Sequence, residues 1–237
     1  MTLTSPNCPV AESLPKEVKD GAMQVQGIDR VIAKALSLQK TAGVIVRDVA
    51  LGGPADIDNG QPGSGLADND LLAVAQSVNR AILSTSDAVI LEFDFVPSSD
   101  TVTFNYVFAS EEYLDFVNSS YNDVFAFLIS GPGITGPYSS PPGFPNGSQN
   151  IAIVPNTTPP TPITISSIHP GFNGNYYNSG NTTVSYNGYT DVFTAIAIVQ
   201  PCQTYHIRLA IADGSDDFLD SGVFLEANSF TSTSVSL

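Results

Sequence analysis

Acidic residues gather in three short stretches, and each stretch adjoins an apolar run with the pattern of a β-strand. Glu111 and Glu112 follow TVTFNYVFAS, Asp123 precedes VFAFLIS, and ADGSDDFLDS precedes GVFLEANSF. Carboxylates crowded together repel one another unless something neutralises them, and calcium does so with six to eight oxygen ligands. We therefore predict a Ca²⁺ site, with one or more ions, among seven residues: Glu111, Glu112, Asp123, Asp213, Asp216, Asp217 and Asp220.

The same acidic residues have a simpler interpretation as solvated turn residues and strand-end caps. The stretch from Asp213 to Asp217 surrounds a glycine with short oxygen-bearing side chains, but it lacks the twelve-residue frame and final Glu of an EF-hand. Both interpretations, calcium ligands and ordinary turns, stay open from the sequence.

Adjacent acids also suggest a glycosidase, because those enzymes place two carboxylates across the scissile bond. Neighbours in a strand point to opposite faces, so Glu111 and Glu112 alone cannot flank one substrate, and Asp123 or Asp217 would have to complete the pair. The chain has no GxSxG elbow and no phosphate-binding glycine loop. We predict that it is not an enzyme, with a carbohydrate-active enzyme as the weakest alternative.

The charge balance disfavours nucleic acid as a partner. The 237 residues contain 8 Lys plus Arg against 23 Asp plus Glu, a formal net charge of −15. Such a field repels a phosphate backbone, and no basic patch offsets it. No run of about eighteen apolar residues occurs, so the sequence predicts no membrane-spanning segment.

The only two cysteines, Cys8 and Cys202, match neither a zinc pattern nor a redox motif. They are candidates for one disulfide that ties the N-terminal arm to the domain, and two unpaired thiols are the alternative. A disulfide would imply an oxidising compartment.

Histidine and tyrosine supply the remaining candidate contacts. His206 alternates with apolar neighbours in YHIRLAIAD, so we expect it to lie in a strand and to bond to the backbone. Several tyrosines fall in Asn- and Gly-rich loops, where they could contact a sugar or a protein or pack back on the domain as anchors. These tyrosines are Tyr113, Tyr121, Tyr138, Tyr176, Tyr177, Tyr186 and Tyr189.

The N-terminal part combines an extended arm with helical segments. Prolines interrupt residues 1–24, which we interpret as an arm. Apolar residues from Ile28 to Leu36 recur at helical spacing and predict a helix that ends near Gly43 and covers the domain. A weaker pattern predicts a second, short helix over residues 70–80.

The rest of the chain has the pattern of strands and turns. About nine strands are predicted, among them residues 88–96, 101–110, 123–130, 151–155, 163–168, 193–199 and 205–213. Nothing between them supports the crossover helices of a parallel sheet. We predict an all-β, antiparallel β-sandwich of jelly-roll type with one N-terminal helix packed on it and long loops, forming a single domain over 25–230 with a tail at 231–237.

Residues 70–230 strongly resemble the choice-of-anchor L domain. The motifs that carry the resemblance are SEEY from Ser110, ND at Asn122, PC-x-TYH from Pro201 and DSGVFLE from Asp220. The family's acidic positions fall here on Glu111, Glu112, Asp123, Asp213, Asp217 and Asp220.

The resemblance implies a secreted or cell-surface bacterial protein, since this domain recurs among proteins whose anchoring modules vary. Combined with the calcium site predicted from the acidic residues, it leads us to expect an extracellular adhesion module that calcium stabilises and that binds a glycan or a protein on a surface. An alternative is a structural subunit that assembles with copies of itself into a filament, because an extended segment can complete a neighbour's sheet edge.

Overall fold

The computed structural model describes residues 45–47, 66–180, 186–226 and 229–233. Within these ranges the chain forms one α-helix, a 3₁₀ turn at Gly174–Tyr176 and eleven strands. The helix is α1 (Asn69–Val78). The strands are β1 (Ile45–Arg47), β2 (Thr85–Phe95), β3 (Thr101–Ser110), β4 (Val124–Ser130), β5 (Gln149–Asn150), β6 (Tyr177–Ser179), β7 (Gly188–Thr190), β8 (Phe193–Ile198), β9 (Tyr205–Gly214), β10 (Ser221–Leu225) and β11 (Thr231–Thr233).

The strands form two sheets in which every pairing is antiparallel. Sheet 1 has the order β1-β10-β3-β7-β6, with β8 and β11 also paired to β3. Sheet 2 has the order β2-β9-β4-β5. The predicted all-β, antiparallel fold is confirmed, and β11 continues sheet 1 beyond residue 230.

The core lies between the two sheets, where aromatic side chains of β3 meet those of β4. The ring centroids of Phe104 and Phe127 are 5.5 Å apart, and those of Tyr106 and Phe125 are 5.4 Å apart. Alternation along β3 turns these residues inward, as the apolar periodicity of TVTFNYVFAS predicts. Every residue of β4 is buried, because its second face also has a cover.

Helix α1 is that cover. It begins after Asp68, whose carboxylate accepts a hydrogen bond from the Leu71 N–H at 2.9 Å and so caps the first turn. Leu71, Val74 and Ala75 pack on the outer face of sheet 2 against Val124, Ala126, Leu128, Ala210 and Ala212. The short helix predicted at 70–80 is therefore confirmed. The helix predicted from Ile28 lies outside the described residues, as do the arm at residues 1–24 and Cys8.

Two predicted strands are wrong. Residues 151–155 and 163–168 form only isolated bridges, Ile153 with Pro162 and Val124 with Thr164. Four of their five isoleucines are buried, but neither segment forms a strand, and residues 165–167 lie in a turn. Thr164 and Ser167 exchange side-chain to backbone hydrogen bonds of 2.9 and 3.1 Å, which satisfy groups that a ladder would otherwise use.

Candidate functional site

Four of the seven predicted ligands are buried at one end of the sandwich. Glu111 and Glu112 follow β3 of sheet 1, whereas Asp123 precedes β4 and Asp213 lies near the end of β9 in sheet 2. Their exposed fractions are 2, 1, 0 and 4% respectively. We call these four residues the buried acidic cluster.

Asp123 joins the two sheets. One of its carboxylate oxygens accepts a hydrogen bond from the Gly214 N–H at 3.2 Å, and the other accepts from the Ser221 hydroxyl at 2.5 Å. Its own N–H donates to the Glu112 carboxylate at 3.2 Å. Gly214 belongs to β9 and Ser221 to β10, so a single side chain ties the end of sheet 2 to the start of a strand in sheet 1.

Glu111 makes a second link, this time to the loop before β10. Its carboxylate accepts from the Asp220 N–H at 3.2 Å, and its own N–H donates to the Asp220 carbonyl at 3.0 Å. The Ser110 hydroxyl accepts from the Glu112 N–H at 3.0 Å, which shapes the turn after β3. The acidic residues thus organise the loops at this end of the domain.

Close approach of two backbones sets this geometry. The Asn122 N–H donates to the Gly214 carbonyl at 3.3 Å, and the Asn122 side chain accepts from the Ser166 N–H at 3.0 Å. A Cβ at Gly214 would lie 2.4 Å from the Asn122 carbonyl oxygen, so only glycine permits the contact. Sequence reasoning missed Gly214 and Ser221 as donors, although both lie within the acidic stretch that it singled out.

Burying carboxylates is costly unless donors or a cation stabilise the charge. The backbone N–H groups and the serine hydroxyl just described stabilise the ionised form. Across the part of the chain that the structure describes, no three His, Cys, Asp or Glu side chains are grouped so that they could hold a metal ion. The described acidic side chains therefore do not complete a calcium site by themselves.

The other three predicted ligands lie apart from the buried acidic cluster, in the loop between β9 and β10. Asp216 and Asp220 are partly buried, and Asp217 is exposed. Asp220 meets Glu111 through its main-chain groups. Burial, and secondarily the charge of Asp217, raise the pKa of Asp216 from its ordinary value of 3.8 to about 6.

The raised pKa predicts a pH-dependent effect of Asp216→Asn. A carboxyl whose pKa is higher in the folded state contributes stability at low pH and loses it as the pH rises through about 6. The neutral amide avoids that loss. In EDTA, we expect thermal unfolding to show the variant more stable than the wild type by about 1 kcal/mol at about pH 8 and nearly equal at about pH 4.

Asp115→Asn is the matched control, because Asp115 is exposed and the substitution removes the same charge. If Asp216→Asn differed from the wild type by the same free energy of unfolding at both pH values, the raised pKa of Asp216 would be contradicted.

The histidine and tyrosine expectations are only partly met. His206 lies in β9, but its Nδ1 is 2.8 Å from a carboxylate oxygen of Asp94, so the expected bond to the backbone is wrong. Tyr113 and Tyr186 are buried, and the Tyr113 ring packs 5.1 Å from that of Tyr177. These tyrosines are anchors, whereas Tyr121 is exposed.

Cys202 lies exposed in the turn between β8 and β9. Its predicted partner, Cys8, is outside the described residues, so the disulfide stays a prediction.

A family model for the choice-of-anchor L domain matches residues 18–231, which is most of the chain. No curated protein and no solved structure matches it. In the described ranges, no helix is both long enough and apolar enough to cross a bilayer.

Proposed function

This chain belongs to the choice-of-anchor L domain family, a bacterial surface-associated module, and we propose that it works outside the cell as a non-catalytic interaction module stabilised by calcium. The observation that carries the proposal is the burial of the acidic cluster at the junction of the two sheets. A glycan or a protein on a surface is the partner class.

The burial favours a structural role for the carboxylates over catalysis. A glycosidase needs two carboxyl groups that reach the substrate. Glu112 and Asp123 are both buried, and the hydrogen bond between the Asp123 N–H and the Glu112 carboxylate holds them inside the fold. A carbohydrate-active enzyme is therefore the weakest of the three candidates.

Calcium is proposed because four carboxylates share one buried end of the domain, and a divalent cation offsets their charge more fully than neutral donors do. Its remaining ligands would be backbone carbonyls, water and hydroxyls such as those of Ser110 and Ser221, all of which calcium accepts in flexible geometry. In this role the ion fixes the loops at the end of the sandwich.

Strand β8 favours a second candidate function, assembly with copies of the chain. In the described part of the chain β8 pairs only with β3, so its other edge is open. Val192, Ile196 and Ile198 are exposed there, and residues 192–205 include no charged side chain. An apolar, uncharged edge strand is a template for pairing with another strand, and it lets two copies of charge −15 approach.

One experiment separates the two candidates. We expect the purified chain in calcium to scatter light as single copies and to bind beads coated with the glycoprotein mucin, with binding lost in EDTA. Assembly would instead give large particles that Ile196→Lys disperses, because a charged side chain on an exposed edge strand disfavours pairing with another copy. Ser120→Lys, on an exposed loop, is the control for the added charge. Single copies that bind no beads would contradict both candidates.

A further inference from the structure

A cleft of about 410 Å³ opens on the outer face of sheet 2, beside the start of α1. Strand register builds its floor, because residues opposite one another on β2, β9 and β4 turn to the same face. One row holds Glu92, Arg208 and Leu128, and the next holds Asp94, His206 and Ser130; all of them except Asp94 line the cleft.

The cleft exists because α1 covers only part of this face. The helix packs over the rows that contain Ala210 and Ala212, and it begins at Asn69. The rows that contain Arg208 and His206 therefore extend past the N-terminal end of the helix. The loop at residues 139–141 forms the opposite wall. Ser139 donates its N–H to the Asp70 carboxylate at 3.0 Å, and its hydroxyl bonds the same carboxylate, which fixes the wall to the helix.

Two residues that line the cleft each have a buried polar atom without a hydrogen-bond partner among the described residues. The Ser130 hydroxyl is one, in a residue that is 1% exposed, and the Nη1 of Arg208 is the other. Arg208 uses Nη2 to bond Asp68, while its Nη1 lies 3.8 Å from the Asp70 carboxylate. Native proteins seldom leave buried polar groups unpaired, and those that are unpaired mark places for a ligand or an ordered water.

The charges around the cleft select the ligand. Asp68, Asp70 and Glu92 outnumber the one arginine, so the cleft repels anions. A cation would meet the Arg208 guanidinium, whose free N–H is a donor and requires an acceptor. The Glu92 carboxylate is exposed and accepts, and the Ser130 hydroxyl both donates and accepts. A neutral sugar offers both donors and acceptors on neighbouring hydroxyls, so its chemistry matches all three groups.

We propose that this cleft binds a neutral sugar unit of a glycan, with Arg208 donating to a sugar oxygen, Glu92 accepting from a neighbouring hydroxyl and Ser130 completing the contact. The volume lies within the range of about 300–1,000 Å³ that is usual for ligand pockets. This assignment rests on the proposed interaction role and specifies its ligand class.

Amide NMR spectra of the whole chain test the assignment, with methyl glucoside, methyl galactoside, methyl mannoside and N-acetylglucosamine as neutral probes. Glucuronate is the anionic probe and glucosamine the cationic one. At least one neutral sugar is expected to shift the amide signals of Ser130, Ser139 and Arg208, and the charged sugars are not. Ser130→Ala should weaken binding about tenfold, which corresponds to about 1.4 kcal/mol.

Ser130→Ala should also keep the melting temperature of the wild type, since the hydroxyl that it removes has no partner to lose. Ser120→Ala, an exposed serine outside the cleft, should bind as the wild type does. Equal binding by Ser130→Ala, shifts with glucuronate or glucosamine alone, or no shift with any sugar would each overturn the proposal. If the chain still binds mucin beads in calcium in those cases, the cleft assignment fails while the interaction role stands.

Discussion

Replacing Asp123 with alanine is expected to lower the free energy of unfolding by about 2–6 kcal/mol. Both carboxylate oxygens accept hydrogen bonds from buried donors, the Gly214 N–H and the Ser221 hydroxyl. Alanine removes the acceptor of both bonds, and losing such a buried hydrogen bond costs about 1–3 kcal/mol each. Because domains are stable by only about 5–15 kcal/mol, this loss is large enough to unfold part of the population.

Urea denaturation of Asp123→Ala beside Asp115→Ala measures the effect. Asp115 is exposed, so its variant should stay within about 0.5 kcal/mol of the wild type. If the urea midpoint of Asp123→Ala were as close to that of the wild type as the midpoint of the control is, the link between the sheets would contribute little to stability.

Strands whose partners lie far away in the sequence were predictable where their own apolar pattern was unbroken. VFAFLIS contains no polar residue before its last position, and it forms β4, every residue of which is buried. The weaker apolar pattern around Leu71 also predicted α1, because a helix needs only one apolar face.

The two segments that were wrongly predicted as strands contain enough apolar residues for a strand, but their backbone does not pair with a neighbouring strand. Ile163 and Ile165 are buried as the pattern predicts. Pro162 lies directly before the segment and has no N–H to donate, and the Thr164 and Ser167 hydroxyls offer the backbone local hydrogen bonds. Apolar periodicity predicts burial well, but it does not distinguish a buried strand from a buried loop.

The acidic residues were predictable as a group but not one by one. Glu112 and Asp123 meet because one follows β3 and the other precedes β4, and strand ends on one side of a sandwich lie close together. Asp217 shares their residue type but sits exposed in a loop whose path no pattern specifies. The cleft could not be predicted from the sequence, because Arg208 and Asp68 are 140 residues apart and meet only where α1 packs on sheet 2.

Adding calcium is expected to produce the largest change in the stability of the wild-type chain. An ion that binds only the folded state stabilises it by about 2.7 kcal/mol at a hundred times its dissociation constant. For a chain of this size, that corresponds to a rise in melting temperature of about 5–11 °C. Asp123→Asn should abolish most of the rise, since it removes one charge at the centre of the buried acidic cluster, whereas Asp115→Asn should retain it.

Thermal unfolding in excess EDTA and then in millimolar calcium tests the central claim most directly, with magnesium as the control for ionic strength. If calcium stabilises the domain, the melting temperature should rise by several degrees in calcium and by little in magnesium. The rise in calcium should be lost in Asp123→Asn. Identical melting curves in EDTA and calcium would show that hydrogen bonds from Gly214, Ser221 and their neighbours neutralise the buried acidic cluster without an ion.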